Sequence, residues 1–161
     1  MKRLLIGHLQ RNKVKYMASF VHLIHGVDSF KTLKEINKQA LKHQRIINCL
    51  LEVKIASEET KFGLAIDEVE KILLSSEFKN LKNINIQGFM GMASFTDDTA
   101  IIHSEFKNLK SQFEISKKYT CQNFNPTILS MGMSGDYTIA INEGSNMVRV
   151  GSAIFGTRNY N

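Results

Sequence analysis

A segment rich in serine and glycine, residues 130–136, carries the clearest chemical signal in this sequence. It reads Ser-Met-Gly-Met-Ser-Gly-Asp and follows an apolar strand predicted over residues 127–129. Small residues let backbone N–H groups approach a ligand, and a helix predicted to begin at the end of the segment adds positive potential there. Ser130 and Ser134 add hydroxyl donors. This combination predicts an anion site whose natural occupant is a phosphate.

A second small residue followed by a hydroxyl, Gly151-Ser152, comes after a strand predicted over residues 147–150. Two neighbouring strand ends of this kind match the phosphate site that (β/α)₈ barrels build after their seventh and eighth strands. Each glycine is alternatively an ordinary turn residue, and Ser134 or Asp136 an ordinary helix N-cap. The two segments together favour the phosphate site.

Arg149 is a charged residue inside the apolar strand 147–150. A buried guanidinium is costly unless it is paired or faces a ligand, and strand alternation puts Arg149 on the same side as Gly151. Arg149 is therefore predicted to point toward the phosphate site; the alternative is a surface arginine with a buried stem. Met90, at another strand end, is a candidate contact for a flat ring or a plain core residue.

The sequence contains no arrangement that predicts a metal site or a catalytic nucleophile. No spacing of His, Cys, Asp and Glu resembles a ligand set, and no Ser/His/Asp arrangement stands out. His8, at a predicted strand end, is a candidate to face a ligand, and Cys49 is predicted to be a small core residue. We therefore expect neither a metal nor a catalytic residue.

Apolar runs alternate with amphipathic stretches along the whole chain. Six strands each followed by a helix or a turn predict parallel pairing with both sheet faces covered. Two architectures fit: an open doubly wound sheet, or most of a (β/α)₈ barrel. For the barrel, only six of the eight β/α units can be counted, and the chain is shorter than such barrels usually are. The predicted strands cover residues 4–6, 20–24, 46–55, 84–90, 127–129 and 147–150.

Composition predicts one globular domain in a reducing cytoplasm. The chain has 161 residues, 43% of them hydrophobic, and only two cysteines, which excludes disorder and a disulfide scaffold. The apolar runs are too short for a membrane span, and no signal peptide is predicted. Residues 1–45 contain ten Lys and Arg residues and only two acidic residues. Their helical spacing over residues 31–42 favours a solvent-facing helix over a nucleic-acid surface, so no nucleic-acid partner is expected.

Several short segments of the sequence resemble segments of the YggS-like pyridoxal phosphate homeostasis proteins. Residues 6–13, Ile-Gly-His-Leu-Gln-Arg-Asn-Lys, are similar to the family signature, and residues 130–134 resemble its Ser-Met-Gly-Met-Ser loop. Further similar segments lie at residues 58–63, 88–90 and 149–156, with Arg158 and Tyr160 beyond. The resemblance covers the chain in order.

The resemblance implies a (β/α)₈ barrel of the alanine racemase N-terminal type that holds pyridoxal 5′-phosphate (PLP) at its C-terminal mouth. It implies that Arg149 approaches the pyridine ring, keeps its nitrogen unprotonated and weakens the cofactor as an electron sink. It also implies a protein that carries and buffers PLP without turning over a substrate; a racemase- or decarboxylase-like enzyme of the same fold is the alternative. The resemblance implies phosphate contacts at Ser130, Ser134, Gly151 and Ser152, with loop backbone contributed by Met131 and Met133. It also implies that Met90 packs near the ring that Arg149 approaches.

Two departures from the family pattern qualify this expectation. Arg3 and Leu4 stand where the family signature has an aromatic residue and a histidine. The family's PLP lysine lies on the first barrel strand, upstream of every match in this chain. We therefore expect residues 1–161 to form a partial domain without the first two β/α units, in which Lys61 is a loop contact. The complete family fold is implied to be monomeric, whereas open barrel edges invite association.

Overall fold

The six strands found in the described part of the chain lie side by side in one parallel sheet. The computed structural model describes residues 1–57 and 62–156. Neighbours in the sheet are also neighbours in sequence, in the order β1-β2-β3-β4-β5-β6, and each pair is parallel. The strands are β1 (Leu4–Leu5), β2 (Leu23–Val27), β3 (Ile47–Glu52), β4 (Ile84–Gly91), β5 (Phe124–Met133) and β6 (Met147–Arg149).

This strand order decides between the two predicted architectures. A doubly wound sheet reverses its strand order at the point where its two halves meet, whereas a barrel adds each strand beside the previous one. The observed order is consecutive throughout, and the strands form a half-barrel. The prediction of a partial (β/α)₈ barrel is confirmed, and the doubly wound alternative is wrong.

Helices follow the strands and cover the outer face of the sheet. The first long helix begins where the Ser29 hydroxyl accepts a hydrogen bond from the Thr32 backbone N–H, and Asp98 caps the longest helix in the same way. The helices are α1 (Phe30–Lys42), α2 (Ile66–Leu74), α3 (Ser76–Lys79), α4 (Thr99–Ser116), α5 (Tyr137–Asn142) and α6 (Ser152–Phe155), with 3₁₀ turns at Arg11–Tyr16 and Lys117–Tyr119. Within the described ranges, no helix combines the length and apolarity that crossing a bilayer requires.

The apolar residues form two separate clusters, one on each face of the sheet. The larger cluster lies between the sheet and the helices and contains Phe89, Phe106 and Phe124, all fully buried. Cys49 belongs to it, as predicted. A smaller cluster lies on the inner face of the half-barrel and consists of Leu23, Leu50 and Met90, with Met92, Ile128 and Met147 packed against it. This inner layer is the floor beneath the functional site.

Strand β5 differs most from its prediction. The predicted strand ends at Leu129, with a phosphate loop from Ser130 onward, but β5 continues to Met133. The interpretation of residues 130–133 as loop is therefore wrong, and only residues 134–136 form the turn before α5. Pairing with both β4 and β6 supplies partners for the backbone of this stretch, which overrides the turn preference of Gly132. Strand β2 is also displaced: it begins at Leu23 and includes His25.

Gly88 is required by the close approach of β4 to β5. Its φ of +143° lies where residues with a side chain are strained, and a Cβ atom there would lie 1.9 Å from the Ile128 carbonyl oxygen. We predict that Gly88→Ala lowers the free energy of unfolding by about 3 kcal/mol, because backbone strain adds to overpacking. Urea unfolding of both chains measures this difference.

Gly135→Ala is the matched control, since a Cβ atom at Gly135 would meet nothing within 4 Å. Its free energy of unfolding should stay within about 0.5 kcal/mol of the parent. Equal unfolding midpoints for Gly88→Ala and the parent chain would contradict the assigned strand contact.

Candidate functional site

The guanidinium of Arg149 is buried inside the half-barrel and bonded to two neighbouring strands. Its Nη1 donates to the Ser130 carbonyl oxygen at 3.0 Å and to the Ser130 hydroxyl at 2.7 Å, and its Nη2 donates to the Gly91 carbonyl oxygen at 3.0 Å. Arg149 is only 8% exposed, so these acceptors replace water that the charge has lost. The sequence prediction of a buried, inward-facing arginine is correct.

His25 of β2 contacts the same serine from the other side. Its Nδ1 lies 3.2 Å from the Ser130 hydroxyl oxygen, and the ring is 1% exposed. Burial, and secondly the positive charge of Arg149, lower the pKa of His25 from 6.5 to about 4. His25 is therefore neutral at pH 7. In the part of the chain that the structure describes, its buried Nε2 has no hydrogen-bond partner.

Acidic side chains complete the polar layer on the β2 and β3 side. Glu52, at the end of β3, is 3% exposed. Burial and repulsion from Asp28 raise the pKa of Glu52, while His8 and Arg149 act in the opposite direction. Asp28 lies 3.3 Å from Nδ1 of His8, whose ring stacks on Phe62 with 4.3 Å between ring centroids. His8 thus lies among the charged groups at the carboxyl ends of the strands.

These residues form a layer that follows from strand alternation. Four polar residues each lie two positions after a residue of the inner apolar floor, so the two members of each pair share one face of their strand. The polar residues are His25, Glu52, Ser130 and Arg149. The floor residues are Leu23, Leu50, Ile128 and Met147, in the same order. A polar layer at the carboxyl ends above an apolar layer is where (β/α)₈ barrels place functional side chains.

The turn after β5 is joined to the start of α6 through Ser134. The Ser134 hydroxyl oxygen accepts from the backbone N–H groups of Gly151 and Ala153 at 3.2 and 3.3 Å. Ser152, beside them, is exposed. The structure therefore brings Ser134, Gly151 and Ser152 together at adjoining strand ends. Ser130, predicted to lie with them, is instead fully buried and bonded to Arg149. Within the described ranges, no acceptor takes the Ser134 hydroxyl proton.

The three candidate methionines have different surroundings. Met90 lies on the inner floor and is 2% exposed. The Met131 side chain faces the helices in the outer cluster, and its carbonyl oxygen accepts from the Ser145 hydroxyl at 2.7 Å. Met133 is exposed, and its N–H donates to the Asp136 carboxylate at 2.6 Å. Only Met90 therefore presents its side chain to the inner face.

His25 and Glu52 are not among the site residues predicted from the sequence. Both interrupt apolar strands, which is the signal that identifies Arg149, and both lie two residues beyond an inward-facing leucine. A search of every strand for an ionisable residue inside an apolar run would therefore have identified His25 and Glu52 as well as Arg149. Over residues 1–57 and 62–156, no group of three or more His, Cys, Asp and Glu side chains is placed to hold a metal ion. Lys61, and the candidate matches at Arg158 and Tyr160, lie outside the described residues.

Comparison with known proteins assigns this architecture to a family. The sequence profile described as "Alanine racemase, N-terminal domain" matches residues 1–159. The chain belongs to this family. A curated relative from Aquifex aeolicus, named pyridoxal phosphate homeostasis protein, is 35% identical over 157 residues, covering 96% of this chain and 66% of the relative. A relative of the same name from Pasteurella multocida is 34% identical, with coverages of 96% and 65%. The chain thus spans just under two thirds of these relatives.

Several solved structures have the same fold as this chain. PipY of Synechococcus elongatus with PLP bound superposes with a TM-score of 0.85 at 26% identity, covering 97% of this chain and 71% of PipY. A protein from Bifidobacterium adolescentis gives 0.88 at 33% identity, with coverages of 96% and 60%. An alanine racemase from Clostridium difficile, at 15% identity and a TM-score of 0.73, shares the fold.

The buried neutral His25 predicts a pH-dependent stability. Between its unfolded pKa of 6.5 and its folded pKa of about 4, the unfolded chain binds a proton that the folded chain does not. The free energy of unfolding therefore falls as the pH drops through this window, by up to about 3 kcal/mol from this residue. Urea unfolding between about pH 7 and about pH 4.5 measures it.

His25→Asn is the control, because it removes the titrating ring and keeps the other groups of the layer. Glu52 contributes with the opposite sign, since its raised pKa favours the folded state at lower pH, but it is present in both chains. The His25→Asn chain should lose clearly less stability on acidification. Parallel pH profiles for the two chains would contradict a neutral buried His25.

Proposed function

We propose that this chain binds PLP and serves PLP homeostasis, carrying and buffering the cofactor without turning over a substrate. The observation that carries the proposal is the pairing of a buried arginine with the Ser134 turn at adjoining strand ends, in a family whose similar members are named for PLP homeostasis. PipY, which superposes over 97% of this chain, holds PLP in its crystal structure. PLP carries a phosphate and an aromatic ring, and the chain offers one group of residues to each.

Ser134, Gly151 and Ser152 are the proposed phosphate contacts. The Ser134 hydroxyl has a proton to donate, the Ser152 hydroxyl is exposed, and backbone N–H groups of Gly151 and Ala153 point toward Ser134. Charge-assisted hydrogen bonds to phosphate are stronger than neutral ones. Met133, the last residue of β5, is joined to this turn because its backbone N–H donates to the Asp136 carboxylate.

Arg149 is the proposed contact to the pyridine ring nitrogen. A guanidinium can only donate hydrogen bonds, so an arginine beside that nitrogen keeps it unprotonated. PLP supplies an electron sink when bound, and this placement weakens it, as suits a carrier. Ser130 would contribute by accepting a hydrogen bond from Arg149, and Met90 would lie beneath the ring. Met131 would anchor strand β5. The polar layer thus fits the cofactor.

Two further β/α units are proposed to close the barrel and to supply the lysine that binds PLP covalently. Both edge strands have exposed apolar neighbours, with Leu4 and Ile6 at one edge and Ile154 and Phe155 at the other. The longer length of the relatives agrees with this proposal. Such units, or a second copy of this chain, would cover the open edges; the closed barrel is proposed to be monomeric. Two free cysteines suit the reducing cytoplasm that we propose as its compartment.

Removing the Ser134 hydroxyl tests the phosphate site. We predict that Ser134→Ala weakens PLP binding by about tenfold, because one hydrogen bond to a charged group is lost, while binding of pyridoxal without its phosphate is unchanged. Fluorescence titration with both ligands measures this. Ser111→Ala, which removes an exposed hydroxyl from α4, is the matched control and should bind both ligands like the parent. Equal losses for both ligands would contradict a phosphate role.

The source of the covalent bond is tested by reducing the chain with borohydride in the presence of equimolar PLP. Peptide mapping should show only scattered, substoichiometric lysine modification, because the attachment lysine is proposed to lie in the closing units. Lys61→Arg should give the same pattern. A dominant adduct on one lysine of the parent chain, abolished by Lys61→Arg, would show that Lys61 is the attachment site and overturn this part of the proposal.

A further inference from the structure

Only one direction of hydrogen bonding satisfies the Ser130 hydroxyl both as a donor and as an acceptor. Arg149 carries five N–H donors and no acceptor, so its 2.7 Å contact to the Ser130 hydroxyl oxygen is a bond that the serine accepts. The single hydroxyl proton of Ser130 must therefore point elsewhere. Among the described residues, the other group within hydrogen-bonding distance of that oxygen is Nδ1 of His25, at 3.2 Å. Because buried hydroxyl groups are nearly always hydrogen-bonded, the geometry favours donation of the serine proton to this nitrogen.

This direction also fixes the tautomer of His25. A neutral imidazole carries one proton, and Nδ1 has none if it accepts from Ser130. The proton is on Nε2, the buried nitrogen without a partner among the described residues. An unpartnered buried N–H costs free energy, so this orientation of the ring is maintained against that cost by the bond at Nδ1. The bond from Arg149 to Ser130 gives a reason for a histidine at this position. The serine oxygen accepts from the arginine, so the serine proton needs an acceptor, and Nδ1 of His25 is placed to be that acceptor.

We propose that His25 is a positioning residue for Arg149: by accepting the Ser130 proton, it turns a serine lone pair toward the guanidinium and fixes the plane in which Arg149 meets its ligand. This role rests on the proposed function only where it concerns PLP. The direction of the three-residue chain is a property of the protein itself. Glu52 and Asp28 also act electrostatically in this layer, but no hydrogen bond joins their side chains to the three residues among those described.

The direction of the chain is tested without any ligand, by ¹⁵N NMR of the histidine rings. In the parent chain at pH 7, Nδ1 of His25 should be unprotonated with a shift typical of a nitrogen that accepts a hydrogen bond, and Nε2 should be protonated. Ser130→Ala should move the Nδ1 resonance to that of a free acceptor and leave exposed His43 unchanged. A protonated Nδ1 in the parent, or an unchanged Nδ1 in Ser130→Ala, overturns the proposal.

The positioning role is tested by two His25 variants that differ in one acceptor. The side-chain oxygen of His25→Asn takes the place of Nδ1, whereas His25→Leu has no acceptor. PLP affinity should fall about tenfold in His25→Leu and stay within about twofold in His25→Asn. The absorbance maximum of bound PLP should shift in His25→Leu alone, because only there does the arginine change its position.

A double-substitution cycle separates positioning from general damage. Ser130→Ala combined with His25→Leu should bind PLP no more weakly than Ser130→Ala alone, since both break the same chain. Equal losses in His25→Asn and His25→Leu, or additive losses in the double variant, overturn the role of His25. If the parent chain binds no PLP, the proposed function fails, while the NMR measurement still decides whether the chain of hydrogen bonds exists.

Discussion

A positive charge buried within a curved parallel sheet is the constraint on which the site depends. Arg149 has exchanged water for two backbone carbonyl groups and one hydroxyl, supplied by β4 and β5. A guanidinium without acceptors in this position would cost several kcal/mol, so the three strands must keep their register for the charge to be tolerated. The close approach of β4 to β5 at Gly88 maintains that register. The arginine and the strand ends around it therefore form one unit.

The same charge organises the electrostatics of its neighbours. It helps to lower the pKa of His25 and opposes the rise in the pKa of Glu52 that burial causes. Burial also lowers the pKa of Arg149. The ordinary pKa of a guanidinium is so high that the group nevertheless stays protonated. The layer thus combines a permanent donor, a neutral histidine and a carboxyl group that resists ionisation. Such an arrangement places a fixed hydrogen-bond donor beside two groups whose neutral forms are favoured by burial.

The sequence predicts the architecture well because its strand pattern is strong, and predicts the site only in part. Consecutive apolar runs indicate parallel strands, and the buried arginine is evident from the cost of a charge in such a run. Strand ends are harder: Ser130 and Met131 look like loop residues, yet pairing on both sides keeps them in β5. His25 was missed because the apolar run before it suggested an earlier strand, and its role depends on residues 105 and 124 positions further along the chain.

A crystal structure of the chain soaked with PLP tests the central claim most directly. We expect phosphate density between Ser134 and Ser152, and the ring above Met90. We also expect a hydrogen bond from the Arg149 guanidinium to the ring nitrogen, with Arg149 still bonded to Ser130. Phosphate density away from the turn at residues 134–136, or a ring nitrogen facing solvent with Arg149 uninvolved, would contradict it.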